Sequence, residues 1–349
     1  MAIYLFSLIF SSCSCIALIY GHTHILAVAK PRGDGLAVQS SHVGDPVRIG
    51  GVAVLLSMLT ATSIQTIFWN ASHTPLLLLL SVLPVFIAGL AEDLGHRVSP
   101  RGRFLAAIIS AIVAVSLLGA WAPRTDIPYL DAAMSLPLVA IMLTVLFSAG
   151  FCHAVNLIDG MNGLASAIVA VSALGCAAIS AQAALPEITG FALLLAAGTI
   201  GFLPLNWPYA RLFLGDAGAY GLGHLLVWLP FLQVWQTDTV AVPALMLVIF
   251  WPLADVLHTI LRRLAERASI LQPDKMHLHQ KVRRMLDIGW FGYRGRQRSN
   301  PLTTIILLPF IAAPVVTGVL LWDQPTAAWY GLGAFMLAFS LAHPLTVRL

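Results

Sequence analysis

Charge is scarce in this chain of 349 residues: Asp, Glu, Lys and Arg together make up 10% of it. Soluble globular chains carry about 25%. So few charges cannot clothe a soluble surface of this size, which excludes an ordinary cytosolic enzyme and a disordered charged tail. Cysteine is also sparse, with only Cys13, Cys15, Cys152 and Cys176. No CxxC pair occurs, so neither a secreted disulfide scaffold nor a zinc ribbon is expected. The four read as buried structural thiols. No Lys or Arg precedes Lys30. The apolar stretch 1–20 therefore lacks the charged start of a secretory signal and is expected to remain as a first membrane span.

Apolar residues fill the space that charge leaves: 59% of the chain is hydrophobic and the mean hydropathy is +0.87. Long apolar runs recur along the whole length, and a bilayer accepts helices because they satisfy their own backbone. The chain reads as an all-α, polytopic integral membrane protein with about eleven transmembrane helices. They fall at 1–20, 50–68, 75–91, 104–121, 134–151, 163–181, 188–205, 217–235, 239–258, 302–321 and 326–345. Residues 1–349 read as a single multi-span membrane domain.

The connecting segments differ in charge. Segments 21–49, 92–103, 152–162, 206–216 and 259–301, with the C-terminal tail, hold eighteen of the nineteen Lys and Arg residues. Arg124 alone falls on the other side. The positive-inside rule makes the basic set cytoplasmic, the N-terminus periplasmic and the C-terminus cytoplasmic. The net charge of +4 is then a topology signal, and no nucleic-acid partner is expected. Ten of the fifteen acids share the basic side. Acids beside apolar helix ends are costly without a partner or a task, so these five cytoplasmic segments are the expected active site.

Four clusters carry chemistry. Ala91-Glu92-Asp93-Leu94 ends an apolar run with two adjacent carboxylates, which repel unless cations lie near. Asn156-Leu157-Ile158-Asp159-Gly160-Met161-Asn162-Gly163-Leu164 gathers oxygen donors of the kind that suit Mg2+. Asn156 and Asp159, three apart, share a face of a helical turn. Arg211-Leu212-Phe213-Leu214-Gly215-Asp216-Ala217-Gly218 places a glycine-flanked acid before a helix whose N-terminus favours an anion. Pro273-Asp274-Lys275-Met276-His277-Leu278-His279-Gln280-Lys281 offers His and Lys to phosphate. A smaller basic cluster holds Lys30, Pro31, Arg32, His42, Pro46, Arg48, Gly50 and Gly51.

In this order the motifs resemble those of the polyprenyl-phosphate N-acetylhexosamine-1-phosphate transferases. That family includes the phospho-MurNAc-pentapeptide translocase and the undecaprenyl-phosphate GlcNAc-1-phosphate transferases. The resemblance runs from Lys30 to Lys281, and eleven spans look more like the GlcNAc-1-phosphate branch. It implies Asn156 and Asp216 as ligands of Mg2+, with Mn2+ as the alternative ion. It implies Asp93, Asp159 and Glu92 in catalysis. Asn162, Arg211, His277 and His279 are implied in substrate binding, and Lys275, His42 and Arg48 join them. Glu92 departs from the usual first Asp, and Gln280 stands where a third histidine is common.

The implied reaction moves a sugar 1-phosphate from a UDP-N-acetylhexosamine to undecaprenyl phosphate and releases UMP. It would be the first membrane step of a cell-surface glycan such as O-antigen, capsule or wall polymer. The implied setting is the lipid bilayer of a bacterial inner membrane, with a homodimer left open. An ion-coupled transporter and an inactive relative that scaffolds glycan assembly are the alternative readings.

Overall fold

The computed structural model describes residues 1–21, 47–267, 276–292 and 296–346, without the side chains at 296, 344 and 345. The described residues form fifteen α-helices and no strand, apart from one parallel bridge between Val47 and Leu212. In chain order they are α1 (Ala2–Tyr20), α2 (Gly50–Trp69), α3 (Thr74–Ser81), α4 (Leu83–Asp93) and α5 (Pro100–Leu118). Next come α6 (Pro128–Met134), α7 (Pro137–Ile158), α8 (Leu164–Gln182), α9 (Pro186–Asn206) and α10 (Gly215–Gln236). The last five are α11 (Val242–Val248), α12 (Phe250–Ala265), α13 (Leu278–Leu286), α14 (Arg296–Leu320) and α15 (Pro325–Leu345).

Proline sets many of these starts. It stands in the first turn of α3, α4, α5, α6, α7, α9 and α11. Its missing N–H costs nothing there, because that donor has no partner inside the helix.

Nine helices among the described residues are long and apolar enough to cross a bilayer, and two bent pairs bring the number to eleven if each counts as one span. The sequence expectation of an all-α polytopic membrane protein with about eleven spans therefore holds. Two details differ. The run 239–258 is not one straight rod: α11 and α12 meet at Ile249 with a bend of 89°. Pro252 falls in the first turn of α12 and cannot donate back to Val248. Beyond it Asp255, His258 and Arg262 recur on one face, so α12 is amphipathic and leaves the line of α11. The other difference is that α7 continues to Ile158, which places Asn156 on a helix rather than in a 152–162 loop.

The core centres on α10, which packs against α2, α4, α7, α8 and α9. The whole of its most apolar stretch is buried. Exposed large apolar side chains lie instead on outer helices, such as Leu5 on α1, Leu105 on α5, Leu146 on α7 and Leu337 on α15. A helix enclosed on every side by protein needs small residues where its neighbours approach. Gly51 of α2 and Gly218 of α10 meet backbone to backbone, and a Cβ at either would collide with the other. Gly89 lets α4 approach the backbone of Asp216 and Ala217 in the same way. These contacts fix the start of α10, where the candidate site lies.

Candidate active site

The N-terminus of α10 leaves backbone N–H groups that its own helix cannot satisfy. Two carboxylates from other elements take them. Asp93, the last residue of α4, accepts from the Asp216 N–H through Oδ1 and from the Ala217 N–H through Oδ2, both at 2.9 Å. Asp159, which follows α7, accepts from the Gly215 backbone. Negative charge at this end also opposes the positive end of the helix dipole. The chain must turn sharply to present these groups. Gly215 has φ +76, a left-handed conformation, and its α-carbon lies against the Arg48 carbonyl, where no side chain fits.

A second strip of backbone holds the same turn from outside. Phe213 N–H donates to Val47 O at 2.9 Å, Gly50 N–H to Phe213 O at 2.8 Å and Gly51 N–H to Leu214 O at 2.9 Å. The end of the first basic segment therefore runs beside the Phe-Leu-Gly-Asp turn. It carries Arg48 to within electrostatic reach of Asp159.

Asp216 projects from the first turn of α10 and forms an ion pair with Arg103. Arg103 sits on α5, whose start is capped by Ser99 accepting from the Gly102 N–H at 3.1 Å. Burial pushes the Asp159 carboxyl well above the usual carboxylate range; Arg48 pulls it back, while the like charges of Asp216 and Asp93 push the same way as burial. Three carboxylates thus crowd one helix end, with two arginines facing them.

Asn156 lies on α7 and donates its side-chain N–H to the hydroxyl of Tyr220 on α10 at 3.0 Å. Its amide carbonyl is the end left for a cation. Oxygen donors of this kind, one or two carboxylates completed by water and phosphate oxygens, are what Mg2+ takes. The Asn156 carbonyl and the Asp216 carboxylate are oxygen donors that fit a hard divalent cation, which would share Asp216 with Arg103. Among the described residues no three side chains of His, Cys, Asp or Glu gather to hold a metal by themselves. Such an ion would draw the rest of its shell from a ligand.

The remaining expected residues are spread more widely. Glu92 accepts from the Val98 N–H at 2.6 Å and so closes the turn between α4 and α5. Asn162 is buried: its side-chain N–H donates to Pro208 O at 2.7 Å, its backbone N–H donates to Asn300 Oδ1 at 2.8 Å, and its carbonyl accepts from Thr304 at 2.7 Å. Its side-chain oxygen has no partner among the described residues. Arg211 is exposed at the surface of the connection before α10. His277 and His279 form a separate buried group at the start of α13, with parallel rings 5.6 Å apart. His42 and Lys275 lie outside the described residues.

Four residues were not picked out as site members from the sequence. Arg103 was visible only as one of several loop cations, although its place four residues after a Ser cap puts it in the first turn of α5. Tyr220 lies one turn beyond Asp216, a spacing that puts both on one face. Asp255 of α12 bonds Nδ1 of His277 at 2.6 Å, both fully buried. Burial holds the His279 imidazole down at about 4, so it is neutral at pH 7. Asn206 joins two motifs, accepting from the Gly163 N–H at 2.6 Å and donating to Leu212 O at 2.8 Å. The Asp255 and Asn206 contacts arise from tertiary packing and leave no short-range spacing signal.

Comparison with known proteins converges on the same stretch. A family model described as Glycosyl transferase family 4 matches residues 75–233, which contain Asp93, Arg103, Asn156, Asp159 and Asp216. A probable undecaprenyl-phosphate N-acetylglucosaminyl 1-phosphate transferase of Bacillus subtilis (strain 168) is 29% identical over 240 residues, 67% of this chain and 65% of the relative. The phospho-N-acetylmuramoyl-pentapeptide-transferase of Staphylococcus haemolyticus (strain JCSC1435) is 30% identical over 207 residues, 56% of this chain and 64% of that protein. The protein of the same description from Staphylococcus epidermidis (strain ATCC 12228 / FDA PCI 1200) is 28% identical over 206 residues, again 56% and 64%. The matched stretch spans just under two thirds of the length of these relatives. Asp93, Asp159 and Asp216 thus meet at one helix end, inside the stretch over which the chain is similar to glycosyl transferase family 4 and to these relatives.

Proposed function

We propose that this protein transfers a sugar 1-phosphate, N-acetylhexosamine 1-phosphate, from a UDP-sugar to undecaprenyl phosphate and releases UMP. The observation that carries the reading is the start of α10. Asp216 is fixed there by Asp93 and faces Arg103, with Asn156 held against the same helix. The relatives' descriptions name both an undecaprenyl-phosphate acceptor and sugar-phosphate transfer, which supports it. The reaction would take place at the cytoplasmic face of a bacterial inner membrane, where a lipid acceptor and a soluble nucleotide sugar can both arrive. The pathway is the assembly of a cell-surface polymer.

The chemistry is displacement at phosphorus. An oxygen of the lipid phosphate bonds to the sugar-linked phosphorus of the UDP-sugar. The bond from that phosphorus to the bridging oxygen breaks, and UMP leaves with the electron pair. Two anions must meet, so positive groups have to screen them. Mg2+, held by Asn156 and Asp216 with Mn2+ able to replace it, would neutralise charge on the diphosphate. Arg103 and Arg48, placed beside Asp216 and Asp159, would complement phosphate oxygens. A phosphate monoester has its second pKa near about 6, so the attacking oxygen is largely ionised at neutral pH. Positioning therefore matters more than a strong base, and Asp93 and Asp159 orient the helix end. Arg211, His277 and His279, implied in substrate binding by the motif resemblance, would contact the nucleotide; the two histidines would have to do so from a buried group held by Asp255.

Incubating membranes that contain the protein with undecaprenyl phosphate, Mg2+ and a panel of UDP-sugars tests the reading. UMP release with one or more N-acetylhexosamines is the expected result, lost in Asp216→Ala. Turnover of Asp216→Ala at the wild-type rate would contradict it.

A further inference from the structure

The geometry points to Tyr220 as a positioning residue for the divalent cation, acting through Asn156; this rests on the proposed pairing of Asn156 and Asp216 as metal ligands. An asparagine differs from an aspartate as a ligand in one respect. Its amide has an oxygen end that attracts a cation and an NH2 end that repels it, and the two ends have nearly the same shape. An Asn ligand therefore needs a neighbour that accepts from the nitrogen and so directs the oxygen to the metal. Partners of this kind, one step behind the ligand, set both orientation and affinity.

Tyr220 has the required placement. Its hydroxyl accepts from Asn156 Nδ2 at 3.0 Å. It lies on α10 one turn after Asp216, so a single side chain ties the helix of one ligand to the helix of the other. The ring cannot swing away, being only 2% exposed. The imidazole of His153, one turn before Asn156 on α7, meets the ring edge-on at 4.8 Å. His153 is held in turn by Phe104 at 5.5 Å, and Phe104 follows Arg103, the partner of Asp216. The aromatic series Phe104–His153–Tyr220 thus fixes the hydroxyl relative to both ligands. The acceptor role is specific to oxygen: phenylalanine would keep the ring and its packing but leave the Asn156 NH2 without an acceptor.

Binding of Mn2+ to the full-length protein in detergent, read from the loss of the free-ion EPR signal with no substrate present, tests the inference. The variants are Tyr220→Phe, Asn156→Asp, the double variant of these two, and Asp216→Asn. Tyr220→Phe should weaken Mn2+ binding by about tenfold, the lower end of what loss of such a partner costs. In the Asn156→Asp background the same change should cost less than about twofold, because a carboxylate has no NH2 end to direct. The coupling compares two backgrounds, so it remains readable if Tyr220→Phe lowers the melting temperature. Unchanged Mn2+ affinity in Tyr220→Phe would overturn the inference. So would a tenfold loss of equal size in both backgrounds, since that is what mere packing predicts. Asp216→Asn separates the two levels. If it binds Mn2+ as the wild type does, the metal site is misplaced and this inference falls with it. If it loses binding while Tyr220→Phe keeps it, only the role of Tyr220 fails.

Discussion

Replacing Asp93 by asparagine should unseat Asp216 rather than remove a proton acceptor. In the wild type each carboxylate oxygen of Asp93 accepts one backbone N–H from the first turn of α10, both at 2.9 Å. Asparagine keeps one acceptor and points an NH2 at the other N–H. A hydrogen bond to a charged group is worth roughly 1.5–3 kcal/mol. Removing the charge also forfeits about 0.3–1 kcal/mol at the helix N-terminus. Together these give a loss of about 3 kcal/mol, felt at the residue that carries Asp216. The assay measures three quantities on detergent-purified Asp93→Asn: apparent melting temperature, Mn2+ affinity and turnover. All three should fall together, with the loss of turnover partly recovered at high metal concentration. A variant with wild-type melting temperature and wild-type Mn2+ affinity but no turnover would refute the reasoning. Asp93 would then act on the substrate directly.

Other perturbations have equally definite outcomes. Arg124, at the opposite end of the bundle, pairs with Asp126 and donates to the carbonyls of Asp238 at 3.0 Å and Val240 at 2.7 Å. Arg124→Met should lower stability by about 2 kcal/mol in a chemical-denaturation series, with turnover per folded molecule unchanged. Asn206→Ala strands the Gly163 N–H and the Leu212 carbonyl in the interior. It should cost about 2–3 kcal/mol, and its loss of turnover should exceed that of Arg124→Met at equal stability. His279 gives a pH signature. The unfolded chain binds its proton as pH falls through 6.5, while burial keeps the folded imidazole neutral to about 4. Its contribution is complete above 6.5 and is lost progressively as pH falls toward 4, about 3 kcal/mol in all. Thermal unfolding at pH 7.5 and pH 5.0 should therefore show a smaller gap for His279→Gln than for the wild type.

The parts of this molecule that follow from local pattern were legible in the sequence. The span number came from apolar runs, and the grouping of Asp93, Asp159 and Asp216 came from acids placed at apolar helix ends. The physical cause is that a bilayer penalises charge, so charge that persists there marks a boundary or a site. Relations that depend on tertiary approach were not legible. Nothing near Asp93 in sequence indicates that its oxygens cap a helix more than a hundred residues later. Arg103 was indistinguishable from Arg97 and Arg101 until the start of α5 turned it toward Asp216. The bend at Ile249 was hidden because hydropathy counts residues without their direction. Asn162 drew notice as a polar residue in a motif, but much of its polarity goes to Pro208, Asn300 and Thr304, which joins the loop to α14.

Which bond breaks decides the central claim. The purified protein is supplied with undecaprenyl phosphate, Mg2+ and UDP-N-acetylglucosamine carrying 32P on the sugar-linked phosphorus; if that sugar is not accepted, the one that releases UMP takes its place. The account expects the label to move into the lipid fraction together with the sugar, leaving unlabelled UMP. Label that stays with the nucleotide while sugar reaches the lipid would mean transfer at carbon, with UDP as the product, and would contradict phosphoryl transfer at the Asp216 site.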